Sequence, residues 1–247
     1  MIEARHKLWA DKVFYPYVRW LFKRHFHAIH LLGEIPDLQA DLPLLLLPNH
    51  STWWDGFFVY LLNKKLFSRV GYLMMLEEQL SKYRFFAQIG AYSVNPKLPK
   101  SVLSSLNYSV SLLKGQSKPQ PMLCLFPQGD LQPWGVRPLN YKRGLEWLLQ
   151  KYAQPVNILP LAIRVEFLGE QRPEVFFLLG QNYQLNHSTF PGMSWLEKGA
   201  NILLDDLAIR IVQGEEGQIL LQGYRSVNEV FDSFVKTIKR MIKIDRS

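Results

Sequence analysis

Residues 42–57 read LPLLLLPNHSTWWDGF. The apolar run at 42–47 is too short for a free-standing helix and lies between turn residues, so it reads as a strand buried on both faces. Pro48 and Asn49 resist helix, so Pro48, Asn49 and His50 read as a loop. Ser51 or Thr52 then caps a helix running through 54–62. This strand–loop–helix unit sets the pattern for the rest of the chain. Further strands are expected at 70–75, 91–94 and 122–126, and at 156–167 and 174–183 as a hairpin around 169–173. Helices are expected at 78–89, 99–114, 144–152, 193–212 and 227–244. Alternation of this kind predicts an α/β fold with a mixed, largely parallel sheet flanked by helices. Chemistry in such sheets sits beyond the carboxyl ends of the strands. The two unusual loops, 49–55 and 126–141, both follow strands directly.

Residues 1–32 read as an N-terminal amphipathic helical extension interrupted near Pro16, and 33–41 as a turn region. The expected organisation is therefore a docking segment at 1–32 and one domain at 33–247. The chain has 247 residues, 48% hydrophobic and 20% charged, enough to bury a full core without disulfide or metal support. Its single cysteine, Cys124, falls inside the apolar run 122–126 and reads as core in a reducing compartment. No spaced His/Cys set suggests a metal.

Net charge is +8, which favours an anionic partner. In the first 30 residues the basic side chains alternate with aromatics: Lys12, Phe14, Tyr15, Tyr17, Arg19, Trp20, Phe22, Lys23, Arg24, His25 and Phe26. Rings beside Lys and Arg suit an anionic membrane surface, where apolar body and charged tip are both accommodated. Residues 1–11 lack the apolar core of a secretory leader, and no apolar run reaches the ~18 residues of a spanning helix. A peripheral protein on the cytoplasmic face of a membrane is expected. No recognisable RNA motif accompanies the charge, so nucleic acid is not an expected partner.

His50 and Asp55 carry the chemistry. A histidine near neutrality takes a proton from a hydroxyl, and an adjacent carboxylate orients it and stabilises the imidazolium. Five residues apart on one helix, the two would point about 140° away from each other. They meet only if His50 lies in the loop and the helix begins after it.

The segment Asn49-His50-Ser51-Thr52-Trp53-Trp54-Asp55 resembles the first motif, with its H-x4-D pair, of the glycerolipid acyltransferases, the lysophosphatidic-acid and glycerol-3-phosphate acyltransferase family. Phe126-Pro127-Gln128-Gly129-Asp130-Leu131 is similar to that family's F-P-E-G-T-R. Tyr141-Lys142-Arg143-Gly144 is similar to its aromatic-Lys-x-Gly stretch, and Leu159-Pro160-Leu161 to its V-P-V. Residues 90–96 resemble its G-x-x-F-I-x-R. The ordered matches span 42–165. The resemblance implies fatty acyl transfer from an acyl thioester, acyl-CoA or acyl carrier protein, to a hydroxyl. His50 would be the general base and Asp55 its partner, with no cofactor and no covalent intermediate. It also implies acceptor or donor contacts for Thr52, Trp54, Gln128, Gly129, Asp130 and Lys142.

The departures from the family pattern point to the acceptor. The arginines that hold an acceptor phosphate in the family are here Pro96 and Leu131, the glutamate is Gln128, and Asp130 adds a negative charge. Phosphate is bound by Arg, Lys or helix N-termini, so the lipid-like acceptor is expected to lack one. Trp53, Trp54 and Trp134 could stack on a ring or line an apolar groove. Two alternatives remain: a phosphorylated acceptor held by Lys97, Arg137, Lys142 or Arg143, and a catalytically impaired relative that only binds lipid.

Overall fold

The computed structural model describes residues 1–115 and 117–225. In chain order the elements are helix α1 (Leu8–His25), strand β1 (Ala28–Leu32), β2 (Leu44–Pro48), α2 (Asp55–Leu62) and a π-helical turn at Asn63–Phe67. Next come β3 (Val70–Leu76), α3 (Glu77–Lys82), a 3-10 helix at Arg84–Ile89, β4 (Ala91–Val94), α4 (Pro99–Leu113) and β5 (Pro121–Cys124). The chain continues with α5 (Gly144–Tyr152), β6 (Val156–Glu166), β7 (Glu174–Leu179), β8 (Tyr183–Leu185), α6 (Met193–Val212) and β9 (Gln218–Gln222).

These strands form one mixed sheet in the order β4-β3-β5-β2-β6-β7-β1-β9, with β8 paired to β6. From β4 to β6 every neighbour is parallel, as is β1 with β7; the β6–β7, β6–β8 and β1–β9 pairs are antiparallel. The α/β, largely parallel expectation holds. β2 lies at the centre and is buried along its whole length. Its side chains alternate between two cores, as the period of a strand requires. Leu44 and Leu46 join Phe58 and Leu61 of α2 and Phe14, Val18 and Phe22 of α1. Leu45 and Leu47 pack with Val110 and Leu113 of α4 and Leu145, Leu148 and Leu149 of α5. A third cluster seats Ala200, Leu204 and Leu207 of α6 on Leu32, Phe176 and Leu178.

Several expectations are corrected. The helix expected over 1–32 ends at His25, and residues 28–32 form β1 inside the sheet, between β7 and β9. A short, mostly buried and largely apolar run is a case where period alone cannot tell strand from helix. Pro16 does not break α1: it sits on the exposed side, where the lost backbone hydrogen bond meets water. The helix expected over 78–89 divides at Tyr83 into α3 and the 3-10 segment. The strand expected over 174–183 ends at Leu179, and β8 follows as a separate strand. β9 has no counterpart among the expected elements. The helix expected at 227–244 lies outside the described residues.

Candidate active site

The parallel strands β2 and β5 bring their two following loops together at one edge of the sheet, and Leu125 N–H donates to Leu46 O at 3.1 Å. His50 lies in the loop two residues past the end of β2, and α2 begins at Asp55 itself. Nδ1 of His50 lies 2.8 Å from Asp55 Oδ2. The carboxylate has no exposed surface, whereas the His50 side chain is 24% exposed.

A buried carboxylate needs donors, and the loop supplies them. Ser51 N–H and Thr52 N–H reach Oδ2 at 2.7 and 2.9 Å, and the Thr52 hydroxyl donates to Oδ1 at 2.6 Å. Thr52 Oγ1 also accepts from Trp54 N–H at 3.2 Å. The helix cap expected of Ser51 or Thr52 thus becomes a turn folded around Asp55, with Trp54 at the N-cap position. With Asp55 ionised, Nδ1 carries the ring proton and Nε2 presents its lone pair. Nε2 makes no hydrogen bond among the described residues.

The loop after β5 holds the other side of His50. The Phe126 ring stacks on the imidazole, centroids 4.1 Å apart and 21° between planes. His50 N–H donates to Gln128 Oε1 at 2.7 Å, and Gln132 N–H donates to His50 O at 2.9 Å. Asn49 is buried and fixes the loop to β6: Ile163 N–H donates to its Oδ1 at 2.7 Å, and its Nδ2 donates to Ile163 O at 3.0 Å. Trp134 Nε1–H donates to the same carbonyl at 3.0 Å.

The residues expected to contact substrate separate into two groups. Gln128 is 2% exposed and its amide is engaged at both ends, with His50 N–H and with Gln132 Oε1 at 2.8 Å. Trp54 is half-buried against α1, its ring 5.2 Å from Phe26, 5.3 Å from His25 and 5.9 Å from Phe22. Together with Thr52, these build the site from within. Gly129, Asp130 and Lys142 instead form an exposed rim. Gly129 is left-handed at φ +77°, and a Cβ there would stand 3.2 Å from Lys142 Cγ. Lys142 N–H donates to Pro127 O at 2.8 Å, which ties the rim together. Trp53 is 66% exposed, with its ring against Trp54 and Phe57. Trp134 does not offer both ring faces: Arg164 lies 4.0 Å and Arg137 5.4 Å from its centroid. Both arginines have carboxylate partners, Glu166 and Asp205 respectively. Pro96 and Leu131 are exposed, as is Lys97.

This fold is shared with a known enzyme. The crystal structure of the 1-acyl-sn-glycerophosphate (LPA) acyltransferase PlsC from Thermotoga maritima matches 85% of this chain and 80% of its own, at TM-score 0.55 and 15% identity. No family model matches the chain, and no curated protein does either.

Cys124, at the end of β5, is fully buried. Burial first, and the Asp55 charge second, push its thiol well above the ordinary range. A thiolate nucleophile is therefore disfavoured. No cluster of three or more His, Cys, Asp or Glu side chains suited to a metal occurs among the described residues. Asn49, Gln132 and Phe126 shape the site although none is among the site residues expected from sequence. Asn49 and Phe126 have a signal in the motif letters beside them; Gln132 has none.

Proposed function

We propose that the chain is an O-acyltransferase that moves a fatty acyl group from an acyl thioester to a hydroxyl of a lipid-like acceptor lacking a phosphate. The observation that carries this reading is the His50–Asp55 pair, with Nε2 open at the carboxyl edge of the sheet, in a fold it shares with a lipid acyltransferase. Nε2 takes the acceptor's hydroxyl proton as the oxygen attacks the thioester carbonyl. Asp55 holds the tautomer and stabilises the imidazolium, which then protonates the leaving thiolate. No resident cofactor is required; acyl-CoA or acyl carrier protein brings the acyl group. Gly129, Asp130 and Lys142 meet substrate at the rim, and Thr52, Trp54 and Gln128 support the pair.

The acceptor reading rests on charge. Pro96 and Leu131 supply no cation, Asp130 adds a carboxylate, and Arg137 and Arg164 already face carboxylates. Repulsion between Asp130 and a phosphate at about 4 Å near the surface would cost several kcal/mol. The opposing reading, a phosphorylated acceptor held by Lys142, Arg143 or Lys97, draws on the exposure of those cations and on the neighbour's substrate.

The N-terminal segment is proposed to dock on the cytoplasmic face of an anionic membrane, without crossing it. Along α1, Trp9, Val13, Tyr17 and Trp20 are exposed, with Lys12, Arg19 and Arg24 among them. None of the described helices is long and apolar enough to cross a bilayer. The test is thiol release from acyl-CoA in the presence of neutral lipid alcohols. Acceptor-dependent release lost in His50→Ala supports the reading, and release that ignores the acceptor removes it.

A further inference from the structure

The peptide of His50 is gripped on both sides by one loop. Its N–H donates to Gln128 Oε1 at 2.7 Å, Gln128 Nε2 donates to Gln132 Oε1 at 2.8 Å, and Gln132 N–H donates back to His50 O at 2.9 Å. The three bonds close a ring through the backbone of His50. Because Gln128 is 2% exposed, its amide has little access to water and its orientation is fixed by its partners. Its oxygen must face the His50 N–H, so its nitrogen must face an acceptor. Among the described residues, Gln132 Oε1 is that acceptor. The same loop carries Phe126 onto the imidazole face, while Asp55 reaches the ring from α2. The loop thus holds the backbone and one ring face of His50, while α2 holds Nδ1.

We propose that Gln132 is a positioning residue that sets the placement of His50 Nε2 through Gln128. This rests on the reading of His50 as the base. Removing the Gln132 side chain leaves a buried Gln128 N–H₂ without a partner, a cost relieved only if Gln128 turns and releases the His50 N–H. A shift of the base by a fraction of an ångström to an ångström slows proton transfer without changing how substrates bind at the rim, and such displacements cost up to about a hundredfold. A carboxylate at 132 keeps an acceptor for Gln128 Nε2.

The experiment uses the full chain as wild type, Gln132→Ala and Gln132→Glu. Two readouts are taken: kcat and KM with acyl-CoA and a neutral lipid alcohol, and the NMR signal of the His50 Nδ1–H proton in protein with labelled histidine. In Gln132→Ala, kcat should fall about tenfold or more, KM should stay within about twofold, and the proton signal should shift or broaden. Gln132→Glu should restore both. Wild-type kcat with an unchanged proton signal in Gln132→Ala overturns the proposal, as does a loss of thermal stability alone. Should Gln132→Ala fail to fold, Gln132→Met decides. It keeps most of the side-chain volume but offers Gln128 Nε2 only a weak acceptor, so kcat should fall about tenfold with KM within about twofold, and the His50 proton signal should shift. Wild-type kcat with an unchanged proton signal in Gln132→Met overturns the idea. Should the wild type acylate no alcohol, the reading of the reaction fails, and the proton signal alone then tests the positioning.

Discussion

Asp55 has no exposed surface, yet it accepts from His50 Nδ1 at 2.8 Å across the very start of α2. Two backbone N–H groups and the Thr52 hydroxyl complete its shell. This shell tolerates an amide better than the chemistry does. In Asp55→Asn, the amide oxygen can take the place of Oδ2 and the N–H₂ can face Thr52 Oγ1. The fold should therefore persist while imidazolium stabilisation is lost. Turnover is expected to fall by about 10²–10⁴ with thermal unfolding little changed. Wild-type turnover in this variant would make Asp55 a loop-folding residue only.

Cys124 should be dispensable. Its thiol, raised by burial and by Asp55, stays protonated at neutral pH. A raised folded-state value means that the stability from burying the neutral thiol is present below the ordinary thiol range and is lost as pH rises through the folded one. Cys124→Ala should keep most of its activity and lose about 1 kcal/mol of stability to the vacated volume. Trapping of an acyl group on Cys124, seen by intact-protein mass spectrometry, would replace direct attack with a covalent route.

The proposed docking surface is best tested by charge. α1 buries Ala10, Phe14, Val18 and Phe22, and β1 is part of the sheet, so deleting residues 1–32 would damage the core. Arg19 and Arg24 are exposed and lie over Tyr15 and Trp20. Changing both to glutamate should weaken binding to anionic vesicles, since each basic residue near the surface contributes about 1 kcal/mol. Raising salt should weaken wild-type binding too. Equal co-sedimentation with neutral and anionic vesicles would contradict the assignment.

Much of this architecture is legible in the sequence. The parallel strands and the helices between them show as apolar runs bounded by turn residues, and the loop placement of His50 follows from Pro48 and Asn49 on one side and the capping residues Ser51 and Thr52 on the other. β1 and β9 are not legible there. Residues 28–32 continue the apolar pattern of α1, and QILLQ at 218–222 is a short run flanked by polar residues; both become strands only through tertiary pairing, β1 between β7 and β9, and β9 on β1 at the end of the sheet. The inward role of Gln128 is likewise hidden. Motif letters place it beside the site, but only the tertiary bonds to His50 N–H and Gln132 show that its amide is already engaged.

The proposed acceptor preference rests on the rim. Leu131 is 54% exposed and Asp130 beside it is exposed as well. Leu131→Arg with Asp130→Thr should therefore be accommodated without disturbing the core. This pair should raise kcat/KM for phosphorylated acceptors relative to neutral ones by about tenfold or more, the scale of adding one charge-assisted hydrogen bond and removing one repulsion. An unchanged ratio would show that the phosphate side of the site lies elsewhere, with Lys142 and Arg143 next to be tested.

The most direct measurement incubates the purified protein with isotopically labelled acyl-CoA or acyl carrier protein and a mixed panel of neutral lipid alcohols, glycolipids and lysophospholipids, and identifies products by mass spectrometry. Wild type should acylate hydroxyls of unphosphorylated lipids in preference, and His50→Ala should form at least about a hundredfold less product while remaining folded. Product levels in His50→Ala above half those of wild type, or labelled acyl groups on none of the alcohols, would contradict the assignment of His50 as the base of an acyltransferase.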